Sequence, residues 1–145
     1  MLLREAAIES RALYLKSDAP SAQWPSNPPT PPRGIYLVAF VRGAPVASGA
    51  LRPIGEKTVE IRRVFVLSAV RRQGHARAVV SVLERYADSL GFTRILLETG
   101  NRQSAAMALY ESCGFTRVAS FGEHTDDPTS VCYMKLVQPI NKETE

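Results

Sequence analysis

Two hydrophobic periods alternate along the chain. Apolar residues crowd into the β-rich runs "IYLVAFV" and "APVASGALRPI", divided by "RG", and then into "TVEIRRVFVL". The first two read as an antiparallel hairpin and the third as a further strand. From Ala76 the period lengthens. Val79, Val80, Leu83, Ala87 and Leu90 recur at helical spacing, with Arg77, Ser81, Glu84, Arg85 and Asp88 on the other faces and Gly91 placed to cap the helix. "TRILLET" has the continuous apolar centre of a strand covered on both faces. "SAAMALYESCG" predicts a short helix closed by Gly114, and "FTRVASF" and "SVCYMKLV" predict two last strands joined by the polar "GEHTDDPT".

Ahead of these elements, Leu3, Ala6, Ala7, Leu13 and Leu15 stand among good helix formers, which predicts a helix over residues 2–16, preceded at most by a very short strand at "LLRE". The next stretch, "SDAPSAQWPSNPPTPPRG", holds six of the ten prolines and no period. It predicts an extended loop, about 18–34, anchored by Trp24 and suited to a lid, a substrate wall or a connector. The order is α-βββ-α-β-α-ββ, an α+β (α/β) arrangement of a mixed sheet with helices packed on it.

With 145 residues the chain suits one domain, 1–145, with a C-terminal tail from about 138. Hydrophobic residues at 45% and charged residues at 22% place it among folded globular proteins. No apolar run approaches the roughly 20 residues of a membrane helix, and "MLLREAAIESR" lacks a secretory pattern, so the expected location is the cytoplasm. Cys113 and Cys132 are too few for a disulfide framework and have no zinc-type spacing; packing in apolar surroundings is expected of both, and no metal.

Charge adds a partner class. The balance of 18 basic and 14 acidic residues gives +4, and Arg62, Arg63, Arg71, Arg72 and Arg77 fall close together, which suits an anionic ligand. In "VFVLSAVRRQGHARAVV" a strand ends, Gly74 turns the chain, and a helix opens whose first amides have no intrahelical partner. Small residues at 74 and 76 let phosphates approach that helix start, with Arg71 and Arg72 beside it. An ordinary glycine turn before an amphipathic helix is the plain alternative. The nucleotide loops G-x-x-x-x-G-K-[ST] and G-x-G-x-x-G are absent.

"VFVLSAVRRQGHA" is similar to the V-x-P-x-x-R/Q-x-x-G-x-G/A block of the GNAT superfamily of acyl-CoA-dependent N-acyltransferases, with Arg71, Gly74 and Ala76 matching and Ser68 where proline is common. "QSAAMALYESCGF" resembles that family's N/Q-x-x-A-x-x-L-Y-x-x-x-G-F, with Gln103 first, Tyr110 as the tyrosine and Gly114 and Phe115 closing. The likeness covers the chain from about residue 35. It implies a mostly antiparallel sheet of six to seven strands flanked by helices. It also implies acetyl-CoA as co-substrate, its pyrophosphate on Arg71, Arg72, Gln73, Gly74, His75 and Ala76, and Gln103 and Tyr110 at the same ligand. The pantetheine arm would lie between splayed strands "IRRVFVL" and "RILLET", on backbone groups of Val64 and Val66.

The implied activity is N-acetylation of a primary amine by direct attack in a ternary complex. Glu60, eleven residues before Arg71, stands where some members carry a general base, and Tyr110 matches the tyrosine that protonates the departing thiolate. Each has a second reading: Glu60 as a solvated strand charge or partner of Arg62, Tyr110 as a core aromatic. Glu98 is the reserve base or, more simply, a charge at a strand terminus, His75 a CoA contact or an exposed residue, and His124 a surface-loop residue bordering the acceptor pocket at most. Acceptor choice falls to residues 5–34 and 119–133, where Tyr14 and Trp24 offer an apolar wall and Glu123, Asp126 and Asp127 negative charge, or merely a solvated turn. A small amine, an amino acid, a peptide N-terminus and a lysine all fit. The alternative function is a catalytically silent CoA sensor or partner-binding module. Neither nucleic acid nor membrane is an expected partner, and a homodimer stays open.

Overall fold

The computed structural model describes residues 6–9, as backbone, and residues 32–139. Seven strands form one sheet: β1 (Ala6–Glu9), β2 (Ile35–Val41), β3 (Ala44–Pro53), β4 (Thr58–Val66), β5 (Arg94–Gly100), β6 (Thr116–Val118) and β7 (Ser130–Leu136), in the order β1-β2-β3-β4-β5-β7-β6. Two helices, α1 (His75–Ser89) and α2 (Ser104–Ser112), and two short 3-10 turns, Ser68–Val70 and Gly122–His124, complete the described residues. No helix among them is long and apolar enough to cross a membrane.

The helix expected over residues 2–16 is corrected where it can be seen. Ala6–Glu9 is a strand, antiparallel to β2, with Ala6 opposite Val41 and Glu9 opposite Val38. Pairing with an otherwise open sheet edge outweighs a weak local helix preference. The rest of that helix, Tyr14, Trp24 and nearly all of the proline-rich loop lie outside the described residues, as does the tail from residue 140. The other elements fall close to their predicted places, although the "FTRVASF" strand is reduced to Thr116–Val118.

Register assigns the faces, because side chains alternate along paired strands. Leu37 pairs with Gly49, Leu51 with Ile61, Ile61 with Leu97 and Leu97 with Tyr133, so these residues share one face. There α1 packs Val79, Val80, Leu83 and Ala87, and Tyr110 and Phe115 join from α2 and the residues after it, all in one buried cluster. The close seat of α1 explains Gly49: a Cβ there would stand 2.6 Å from Val79 Cγ1. The opposite face carries Ser48, Glu60, Arg62, Leu96, Glu98, Cys132 and Met134.

Two irregularities open the sheet at its centre. All neighbouring strands are antiparallel except β4 and β5, which run parallel and pair only from Thr58 with Arg94 to Ile61 with Leu97; beyond that they part. In the same stretch β4 bulges against β3. Ser48 faces Phe65 and Ala50 faces Arg62, so Gly49 alone opposes both Arg63 and Val64, and Arg63 takes a left-handed φ of 58°. The extra residue bends β4 and strengthens its twist away from β5.

Candidate active site

The anion-binding end is built by the segment from β4 to α1. The loop expected between β4 and the helix contains a 3-10 turn, Ser68–Val70, ahead of Gly74. Gly74 then takes a left-handed φ of 85° at the N-cap of α1, a conformation that costs glycine nothing. The first backbone bond of the helix is Ala78 N–H to Gly74 O at 3.0 Å, leaving the amides of His75, Ala76 and Arg77 without partners inside it. No side chain caps this end and no acidic residue stands in its first turn. Such a helix start draws an anion.

The arginines separate into different tasks. Arg71 Nε donates to Val66 O at 3.1 Å, and Arg72 is exposed with a left-handed φ of 68°, so both stay at the cradle. Arg77 instead donates to Ser112 Oγ and Cys113 Sγ of the neighbouring helix end. Arg62 turns to the acidic group described below, and Arg63 sits in the bulge. The five therefore form no single patch. His75 is buried rather than exposed, so it offers the cradle a backbone amide and not its ring. Gln73 is exposed on the loop, and Ala76 is half-buried. Val64 and Val66 pack partly against the core from the bulged end of β4, beyond the last pairing with β5. Gln103 is exposed at the N-cap of α2, past the end of β5.

Tyr110 lies on the helix-bearing face at the fork of β4 and β5. Its ring is 6.2 Å from that of Tyr133, which pairs with Leu97, the last β5 residue bound to β4. Phe115 packs edge-on at 6.1 Å. Burial, with a smaller contribution from Cys113, pushes the phenol up to about 12. The hydroxyl keeps its proton at neutral pH, and among the described residues it has no hydrogen-bond partner. A buried donor without an acceptor carries a desolvation cost that the acceptor of an incoming ligand would relieve.

On the other face, at the same fork, Glu60 is buried. Its carboxylate is met by Arg62 Nη1 at 3.8 Å and by His124 Nε2 at 3.3 Å. The imidazole lies between two strands' carboxylates, since Nδ1 stands 3.8 Å from Glu98 Oε1. Ser130 Oγ donates to Glu98 Oε2 at 2.7 Å, and Arg62 reaches across to Glu123 Oε2 at 3.2 Å. The turn Gly122–His124 carries this histidine over the sheet, with Phe121 against its ring at 5.1 Å. Both readings of Glu60 hold part of the geometry: it does face Arg62, but it is not solvated. Asp127 accepts from Thr129 N–H and Oγ–H, which hold its carboxyl below the usual range, so it shapes the turn. Asp126 is exposed. Cys132 is buried and Cys113 half-buried. No three His, Cys, Asp or Glu side chains among the described residues are arranged to hold a metal.

The residue that sequence reasoning undervalued is His124. Nothing in "GEHTDD" signals that its turn folds back onto Glu60, sixty-four positions away.

Comparisons with known proteins bear on this arrangement. The acetyltransferase (GNAT) family matches residues 4–115. N-acetyltransferase 8 of Homo sapiens is 40% identical over 81 residues, covering 56% of this chain and 34% of its own length. The chain thus spans about a third of that curated relative. Among solved structures, one from Klebsiella pneumoniae, classed with the acyl-CoA N-acyltransferases, superposes with a TM-score of 0.74 at 26% identity, covering 92% of this chain and 98% of that one. A GNAT acetyltransferase from Elizabethkingia anophelis with acetyl-CoA bound shares the fold at a TM-score of 0.68 and 14% identity, covering 91% and 98%.

Proposed function

Because the chain belongs to the acetyltransferase (GNAT) family, we propose that it transfers an acetyl group from acetyl-CoA directly to a primary amine, with both held at the fork of β4 and β5. One observation carries this reading. The sheet is open where the phenol of Tyr110, without a hydrogen-bond partner among the described residues, lies on one face and a buried carboxylate, Glu60, on the other. Acyl transfer to an amine needs a base for the ammonium proton and an acid for the leaving thiolate, each within reach of its own atom.

The residues present fit acetyl-CoA, which supplies the activated thioester. Gly74 and the free amides of His75, Ala76 and Arg77 hold the pyrophosphate, with Arg71 and Arg72 adding charge. The β4 edge from Arg62 to Val66, unpaired on the β5 side, offers backbone groups to the pantetheine arm. A backbone N–H held in place there polarises the carbonyl without reorganising during the reaction. Gln103 borders the same opening at the start of α2. Tyr110 gives a proton to the departing sulfur. Glu60 takes one from the amine, and Glu98 and Glu123 add negative charge that favours an acceptor arriving as an ammonium.

The test is thiol release from acetyl-CoA by the purified protein across polyamines, amino acids, arylamines and peptides, with the thermal shift caused by CoA measured in parallel. Turnover on one class establishes the reaction and names the acceptor. A shift without turnover on any amine refutes the transfer reading, and absence of a shift refutes the cradle.

A further inference from the structure

We propose that His124 is the proton exit of the acceptor site, taking from Glu60 the proton that Glu60 removes from the incoming ammonium and releasing it towards Glu123 and water. This rests on the acetyltransfer reading above.

A base that has accepted a proton must lose it before the next turnover, and Glu60 is badly placed to lose it to water: its side chain is 5% exposed. Of its two nitrogen-bearing partners, Arg62 has no lone pair and remains charged, so it cannot accept. His124 can, and its Nε2 is 3.3 Å from Glu60 Oε2, within hydrogen-bond range. Exposure then climbs outward along the contacts, to 13% at His124 and 58% at Glu123, whose Oε2 faces the same Nε2 at 3.9 Å. Glu98 has a separate part. Ser130 holds it at 2.7 Å, and its Oε1 faces Nδ1 at 3.8 Å, favouring the tautomer with the proton on Nδ1 and the lone pair on Nε2. At 3.8 and 3.9 Å these outer contacts act through charge or through one intervening water.

The charged groups facing the ring are thus Glu60 from β4, Glu98 from β5, and Glu123 and Asp127 from its own loop, with Arg62 beyond Glu60 and Glu123. The step balances. The ammonium loses a proton to the Glu60 carboxylate and becomes the free amine. The Glu60 carboxylic acid passes that proton to Nε2, giving an imidazolium. The imidazolium releases it from Nε2 towards Glu123 and solvent, which restores the starting tautomer and the Glu60 carboxylate. The Asp-His pairing of hydrolytic triads uses the same division between an orienting carboxylate and a proton-carrying nitrogen.

His124→Gln tests this, because glutamine can still hydrogen-bond Glu60 but cannot carry a proton. Steady-state kinetics across pH, with and without added imidazole, is the assay, and an unchanged thermal shift by CoA checks the fold. The expected result is a kcat lower by at least about tenfold, within the usual range for lost acid-base catalysis, with KM for acetyl-CoA nearly unchanged and part of the rate restored by imidazole. A turnover equal to wild type at every pH overturns the exit role, as does a loss that imidazole does not restore, which leaves the ring only positioning Glu60. If His124→Gln fails to fold, His124→Asn carries the same readouts. Wild-type protein that binds CoA yet acetylates no amine brings down the acetyltransfer reading and this proposal together, whereas active wild type with an unimpaired variant brings down the exit alone.

Discussion

Gly49→Ala tests how firmly α1 is seated on the sheet. The new Cβ would stand 2.6 Å from Val79 Cγ1 and 3.0 Å from Leu83 Cδ1, and both side chains are fully buried. Carbon atoms pack at about 3.5–4.0 Å, so the structure must yield by roughly 1 Å. Val79 cannot swing aside cheaply, because a β-branched side chain in a helix is held to one rotamer. The helix itself must lift. Overpacking of this kind costs about 1–3 kcal/mol, against a gain of about 0.4–1 kcal/mol from a less flexible unfolded chain, so destabilisation wins. At this length each kcal/mol lowers Tm by about 2–4 °C. Urea-unfolding midpoints give the value directly. The mechanism is identified by a second substitution. Val79→Ala alone leaves a void and destabilises, but combined with Gly49→Ala it makes room for the new methyl, so the double variant is more stable than the sum of the two by about 0.5–3 kcal/mol. Additive losses, or an unchanged midpoint for Gly49→Ala, would refute the steric argument. Since α1 also begins the anion cradle, the single variant weakens binding of CoA as well.

Other expectations follow from the same geometry. Tyr110→Phe removes a hydroxyl without a partner among the described residues, so kcat falls by about 10²–10⁴-fold while KM for acetyl-CoA barely moves, as read by thiol release. Gly74→Val forces a β-branched residue to a φ of 85° and costs about 1–2 kcal/mol. Calorimetry with CoA is expected to show a much weaker site. Alkaline stability depends on the phenol. The folded value of Tyr110, about 12, lies above its ordinary 10.0, so its contribution is complete below pH 10 and is lost as pH rises through 12. The loss reaches at most about 3 kcal/mol. Unfolding midpoints at mildly and strongly alkaline pH fall less in Tyr110→Phe than in the wild-type protein.

Much of this architecture was legible because it is local. The apolar runs of β2 to β5, the 3.6-residue period of α1 and the glycines at 74, 91 and 114 each follow from a short-range rule, and all three glycines take positive φ. The bulge in β4 was also written in the sequence, though less openly. In "VEIRRVFV" the β-branched residues occur at 59, 61, 64 and 66, so their alternation skips a place at the double arginine. That skip puts Val64 and Val66 on the helix-bearing face while Glu60 and Arg62 face the other way. β1 was misread because a four-residue strand is stabilised by the edge it joins and not by its own composition. His124 was undervalued for a related reason. Its partners lie on strands distant in sequence, and only the return of the Gly122–His124 turn brings them together.

The four paired positions between β4 and β5 also divide the sheet into two leaves joined along half a seam. One leaf consists of β1 to β4 and the other of β5, β7 and β6, and across the seam the hydrogen-bond ladder stops halfway along the strands. A molecule laid in the opening, bonded to the backbone of both leaves, would complete the missing rungs. Binding such a molecule would then complete the sheet, and the ligand would serve for a moment as an eighth strand.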